Sequence, residues 1–116
     1  MAKNNNLLNS IIEGIKNKKG NNILSIDLRE IENSVCDYFV ICNADSNTQV
    51  KAIVDGVEDY VNKNTGEKVW KKEGLENSQW ILLDYSSIVV HIFQTEYRDF
   101  YKLESLWADA KIKIFE

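Results

Sequence analysis

His91 is the only histidine of the 116-residue chain, and Cys36 and Cys42 are its only cysteines. A thiol beside an imidazole can act as a nucleophile, so Cys36 or Cys42 with His91 is the one pair to weigh for covalent chemistry. Cys42 lies inside the apolar run YFVICN, where a buried structural thiol is the simpler role. The segment from Cys36 to Cys42 reads mostly as one strand. Six strand residues span roughly 20 Å, too far for a disulfide, so both cysteines are expected as thiols in a reducing compartment. A metal centre needs several ligands at suitable spacing, and this set does not supply them. The sequence holds no phosphate-binding glycine loop, no G-x-G-x-x-G and no G-x-S-x-G. No pair of adjacent acids on a strand is present for metal-assisted phosphoryl transfer. The expectation is no catalytic residue, no metal and no cofactor.

The other chemistry-bearing residues cluster in WILLDYSSIVVHIF, residues 80–93. Two apolar runs read as a hairpin with its turn at Tyr85–Ile88. That register pairs Asp84 with Val89, Leu82 with His91 and Trp80 with Phe93. Strand side chains alternate faces, so these six share one face, and Ile81, Leu83, Tyr85, Ile88, Val90 and Ile92 share the other. The second set is almost purely aliphatic and predicts core. The Trp80 face mixes aromatics, an acid and a histidine with two aliphatics, as a partly covered surface does. Two occupants fit it: a helix of the same chain, with His91 bonded to Asp84, or a partner molecule.

The elements that must position these residues follow from periodicity. MAKNNN, residues 1–6, is polar and expected to fray. Leu7, Leu8, Ile11, Ile12 and Ile15 recur at helical spacing, and Gly20 ends that helix after a lysine-rich last turn. NILSIDL (22–28) and YFVICN (38–43) read as strands. Ser46 and Gln49 form a capping box ahead of the stripe Val50, Ile53, Val54, Val57, Tyr60 and Val61, and Asn64 and Gly66 end that helix. KVWKK (68–72) is a short strand. After the hairpin, Thr95 is placed to cap a last helix, with Phe100, Leu103, Leu106, Trp107 and Ala110 toward the core. KIKIFE alternates and is expected to be extended.

The order α-β-β-α-β-β-β-α predicts one α/β domain over 1–116, with a mixed sheet of about five strands flanked by helices. The passage 38–72 implies a parallel crossover. Formal net charge is −4, which disfavours a large phosphate footprint and suits a basic partner. The locally basic run NKNTGEKVWKKEG, with Trp70 between lysines, fits either a phosphate contact or a solvated edge strand guarded by lysines. No apolar run has signal-peptide or transmembrane character, so a cytoplasmic location is expected.

CDYFVICNADSNTQVKAIVDGVEDYV, then KKEG, WILLDYSSIVVHIF and YRDFYKLESLW resemble the Iojap-like ribosomal silencing factor family, from about residue 7 to about 110. The strongest pieces are the Asp-Tyr-Phe strand start, the Glu-Gly loop, W-x-x-x-D-Y followed by V-H-x-F, and L-E-x-L-W. One departure is DYSSI, where the family often has glycine after the tyrosine.

The resemblance implies a fold similar to nucleotidyltransferases without their catalytic glycine-serine and paired-aspartate motifs. It implies binding to protein L fourteen of the large ribosomal subunit, steric blocking of small-subunit joining, and repression of translation when nutrients fall. Organellar relatives act in large-subunit assembly, and free family members are often dimeric. By position in the matching motifs, Trp80 and Tyr85 are the expected anchors, with Trp70, Glu73, Asp84 and His91 contributing to the partner-binding face. Asp84 or Glu73 would pair with a basic residue of the partner. A large-subunit assembly factor and a degenerate nucleotidyltransferase-like enzyme are the alternative functions. Neither a membrane nor extensive nucleic-acid contact is implied.

Overall fold

The computed structural model describes residues 2–107 and 110–115, and the side chains of 6–103, 105–107 and 110–115. The element order is α1 (Ala2–Asn17), β1 (Asn21–Asp27), β2 (Tyr38–Ala44), α2 (Asn47–Thr65), β3 (Lys71–Glu73), β4 (Trp80–Asp84), β5 (Ile88–Gln94), α3 (Thr95–Tyr101), a 3₁₀ turn (Leu103–Trp107) and β6 (Lys111–Ile114). The helix α1 thus begins ahead of the apolar stripe, within the stretch expected to fray.

One sheet carries all six strands in the order β3-β4-β5-β2-β1-β6. The expected five become six because the tail KIKI pairs antiparallel with β1, Ile26 opposite Ile112. Only β2 and β5 are parallel neighbours. The chain leaves β2 through α2 and returns in the same direction as β3, but β4 and β5 then insert between them. The crossover is therefore parallel without being adjacent. The strand expected at 68–72 is shorter and later, Lys71–Glu73.

The sheet has two unlike faces. On the first, α1 and α2 bury Ile11, Ile15, Ile53 and Val57 against Val40, Cys42, Ile81, Leu83, Val90 and Ile92. On the second, Phe39, Ile41, Phe93 and Leu103 form a smaller cluster that includes Leu28 and Cys36 from the 28–37 connection.

Helix ends follow local chemistry, with three corrections. Ser46 is extended and its Oγ accepts from Gln49 N at 3.1 Å. The Gln49 amide does not reciprocate. It donates to the Lys19 carbonyl at 3.2 Å and so satisfies the end of α1. Gly66 caps α2 in the left-handed region at φ 76°. At the end of α1 the left-handed residue is Lys19 (φ 62°), not Gly20. Gly20 N donates to Ile15 O at 3.0 Å, and a Cβ there would lie 2.4 Å from Ile15 Cγ2, so glycine is needed for space. Thr95 does not cap α3. Gln94 holds the N-cap position without a side-chain bond, and the Thr95 hydroxyl donates to Asp45 Oδ1 at 2.7 Å and accepts from Asn43 Nδ2 at 2.9 Å.

The last helix is the largest departure from expectation. It stops at Tyr101 because Lys102 turns left-handed (φ 49°). A 3₁₀ turn follows, so the helical spacing is lost. Leu103 is buried and Trp107 and Ala110 pack partly on the second cluster. Phe100 and Leu106, expected in the core, are 77% and 73% exposed.

Candidate docking surface

The hairpin register is the expected one: Trp80 faces Phe93, Leu82 faces His91 and Asp84 faces Val89. On the first face Ile81 and Leu83 are fully buried. On the second face the cover stops part-way. Phe93 and His91 of β5 lie buried, whereas Trp80, Leu82 and Asp84 of β4 are half-buried. On β3, Lys71 opposes Asp84 and Glu73 opposes Leu82, so both lie on this face, and both are exposed. The connection 28–37 and α3 cover one side of the face and leave the β3–β4 side open.

Trp80 is fixed from behind. Its Nε1–H donates to His91 Nδ1 at 3.0 Å, and its ring stacks on Phe93 at 4.9 Å and 25°. His91 packs edge-on against Phe39 at 4.6 Å. Accepting at Nδ1 leaves the imidazole proton on Nε2, a buried atom with no hydrogen-bond partner among the described residues. Burial pushes the His91 pKa down to about 4, because desolvation penalises the cation. His91 is therefore neutral at physiological pH. It holds the Trp80 indole in one orientation and presents no atom to a partner.

Two further expectations are corrected here. His91 is not bonded to Asp84, whose Oδ1 instead accepts from Ser86 N at 2.7 Å. In that Asx turn Ser86 is left-handed at φ 76°, and the side-chain bond offsets the cost of that conformation. Tyr85 cannot be a surface anchor. It is 4% exposed, lies in the first-face core, and burial pushes its hydroxyl pKa up. Even the expected face alternation placed it there.

Trp70 is 73% exposed beside β3, its backbone N–H donating to the Asp84 backbone carbonyl at 2.8 Å. Of the expected contact residues, the structure gathers Trp80, Asp84 and Glu73 on the open face, sets His91 beneath them and Trp70 at the edge, and removes Tyr85.

The nucleophile pairing does not form. Cys42 belongs to the first-face core and His91 to the second face. Cys36 Sγ instead donates to the Tyr38 carbonyl at 3.3 Å. Burial raises the Cys42 pKa to about 12 and the Cys36 pKa to about 11, which keeps both as thiols, and a thiol is the unreactive form. The described residues hold no group of three or more His, Cys, Asp and Glu arranged for a metal ion. None of their helices is long and apolar enough to cross a membrane.

Two of the lysines expected as a phosphate edge, Lys71 and Lys72, are engaged. Lys72 pairs with Glu58 of α2 and Lys71 with Glu73, both at 3.1 Å. Periodicity did not reveal the exposed apolar residues around Trp80: Leu75, Phe100 and Tyr101. The sequence signal for Phe100 and Tyr101 is the aromatic content of YRDFYKLESLW, and Leu75 has none.

The family model described as "Ribosomal silencing factor during starvation" matches residues 1–116. This chain belongs to the ribosomal silencing factor family. It is 40% identical over 95 residues to ribosomal silencing factor RsfS of Bacillus subtilis, covering 82% of this chain and 79% of that one. It is 33% identical over 107 residues to the RsfS protein of Halalkalibacterium halodurans, covering 92% and 90%. It is also 38% identical over 73 residues to the chloroplastic protein Iojap of Zea mays, covering 63% of this chain and 31% of that one. A crystal structure of a Chromobacterium violaceum protein superposes with a TM-score of 0.81 at 31% identity, covering 88% and 83% of the two chains. One from Bacillus halodurans gives 0.76 at 30% identity, covering 95% and 96%. The α/β fold of this chain is thus shared with these solved structures, and the half-open second face is set within it.

Proposed function

We propose that the chain binds the large ribosomal subunit through ribosomal protein L fourteen and, by occupying that surface, prevents the small subunit from joining, with no catalytic step. Family membership supports the silencing role. The observation that supports docking is the second face, where an oriented, half-buried Trp80 stands beside Asp84 and Glu73. Aromatic anchors ringed by polar groups are the usual build of protein interfaces, and the two acids suit a basic ribosomal protein.

Contact is through protein rather than RNA. Lys71 and Lys72 are paired with Glu73 and Glu58, and net charge is −4. Each phosphate neutralised by a lysine steepens the salt dependence of binding. A shallow salt slope is therefore expected, changing little when Lys68, Lys71 and Lys72 are neutralised.

The experiment is cosedimentation of the protein with isolated large and small subunits in a sucrose gradient, followed by addition of the missing subunit. The expected result is comigration with the large subunit alone and fewer joined ribosomes. Comigration with neither subunit, or equally with joined ribosomes, overturns the proposal.

A further inference from the structure

The open part of the second face ends in a pocket of about 260 Å³ between the 74–79 loop and the end of α3, walled by Leu75, Trp80 and Tyr101 and rimmed by Glu76. We infer that this pocket seats one large apolar side chain of a protein partner, leucine or phenylalanine, whose neighbouring residue is an arginine or lysine received by Glu76. The inference deepens the docking proposal and rests on it for the source of that side chain.

Size speaks first. Pockets for cofactors and drug-sized ligands run from roughly 300 to 1,000 Å³, so this one holds a side chain rather than a nucleotide. Leu75, Trp80 and Tyr101 give it an apolar side, Glu76, Asn77 and Gln79 line the rest, and it is partly open, with Leu75 41% and Tyr101 46% exposed. The Trp80 and Tyr101 rings lie 4.9 Å apart, tilted by 44°. Glu73 lies on the same sheet face as Trp80 but is paired with Lys71 at 3.1 Å, which leaves Glu76 as the carboxylate of the pocket itself. An apolar side with a carboxylate beside it complements an apolar residue flanked by a cation, and opposes one flanked by an acid.

The pocket is also set before any partner arrives. Trp80 is held by the His91 hydrogen bond and the Phe93 stack. The loop is held at both ends. Ser78 N donates to Gly74 O, Ser78 Oγ donates to Leu75 O, and Gln94 Nε2 donates to Ser78 O, each at 3.1 Å. Gly74 is left-handed at φ 84°, and a Cβ there would come within 2.1 Å of the Trp80 carbonyl. Only glycine brings the loop this close to β4. A wall that needs no ordering on binding loses less entropy when it is filled.

The test has two arms. In the first, the full chain is titrated with N-acetyl-Phe-Arg-amide and with N-acetyl-Phe-Glu-amide, followed by amide and indole NMR shifts. Saturable shifts at Gly74, Leu75, Gln79 and the Trp80 indole are expected with the arginine peptide. The glutamate peptide should bind about fivefold more weakly or worse, the scale of one surface charge pair. Glu76→Lys should reverse the preference, and Tyr101→Ala should remove the shifts. Shifts elsewhere, or equal affinity for both peptides, overturn the inference.

In the second arm, Leu75→Asp and Glu76→Lys are sedimented with large subunits after their melting is shown to match the parent. A loss of about 30-fold or more is expected for Leu75→Asp, as for a truncated anchor. If the parent sediments and both variants do so equally well, the pocket is not the anchor, even where the peptide binds it. If the peptide binds as expected but the parent does not sediment, the docking proposal fails and the pocket's side-chain preference stands.

Discussion

The two faces of β4 and β5 are built from alternate residues of the same fourteen-residue stretch, yet they meet different fates. Ile81, Leu83, Val90 and Ile92 disappear under two long helices, α1 and α2. Trp80, Leu82 and His91 face a seven-residue helix and a 3₁₀ turn, too short to cover β4 and β3. What separates core from candidate surface is the reach of the covering element, more than the hydrophobicity of the strand. The uncovered face then carries residues that tolerate both water and a partner: an indole, two carboxylates and a paired lysine.

That comparison can be broken most forcefully on the covered face. Leu83→Ala removes a fully buried side chain and should cost about 2–5 kcal/mol of stability, read as a lowered denaturant midpoint with an unchanged slope. Large-subunit affinity per folded molecule should not change. If binding falls beyond the loss of folded protein, the first face is not merely core.

Trp80→Ala should do the reverse. Truncating an anchor is worth roughly 2–4 kcal/mol of binding, about 30- to 1000-fold in affinity. Trp80 is half-buried, so its stability cost should be smaller than that of Leu83→Ala. Thermal unfolding and subunit sedimentation, recorded together, decide the matter. Binding that drops only in step with folding assigns Trp80 to internal packing.

His91 sharpens the boundary between the faces through pH. Its folded pKa is about 4, against an ordinary 6.5. The unfolded chain therefore binds the proton more readily, and stability from this residue is present above pH 6.5 and lost as pH falls toward 4. The full loss is on the order of 3 kcal/mol. A His91→Phe variant should show a flatter stability profile between pH 6.5 and 4 than the parent. Equal slopes would mean that the imidazole is not desolvated behind Trp80.

Asp84→Asn should have the smallest effect. An amide oxygen can still accept from Ser86 N, so the turn persists and melting should barely move. If Asp84 meets a cation at the rim, binding should weaken by about 1 kcal/mol or less, mainly through the association rate. A large stability loss would instead show the carboxylate to be part of the fold.

Periodicity and turn chemistry carried most of the fold. The hairpin register was legible because a one-residue slip would bury Asp84 and expose Leu83. The Ser46 cap was legible because its partner is three residues away. Less legible was whatever depends on contacts between distant segments. Nothing in YRDFYKLESLW marks Lys102 as left-handed, since no glycine or proline stands there, so Phe100 and Leu106 were placed in a core they do not reach. KIKI showed strand alternation, but its partner β1 lies more than eighty residues earlier in the chain.

The candidate site divides along the same line. The sequence by itself determined that Trp80, Asp84 and His91 share one side of a hairpin, because side-chain alternation is a local property of extended backbone. It likewise determined that Tyr85 belongs to the opposite side. Only the tertiary structure decided that His91 is a buried support for the Trp80 indole and that Glu73 joins the same face. It alone set Leu75, Glu76 and Tyr101 around a pocket. Those outcomes depend on which elements pack above the sheet and how far they extend, and such packing is fixed by the summed contacts of the whole chain.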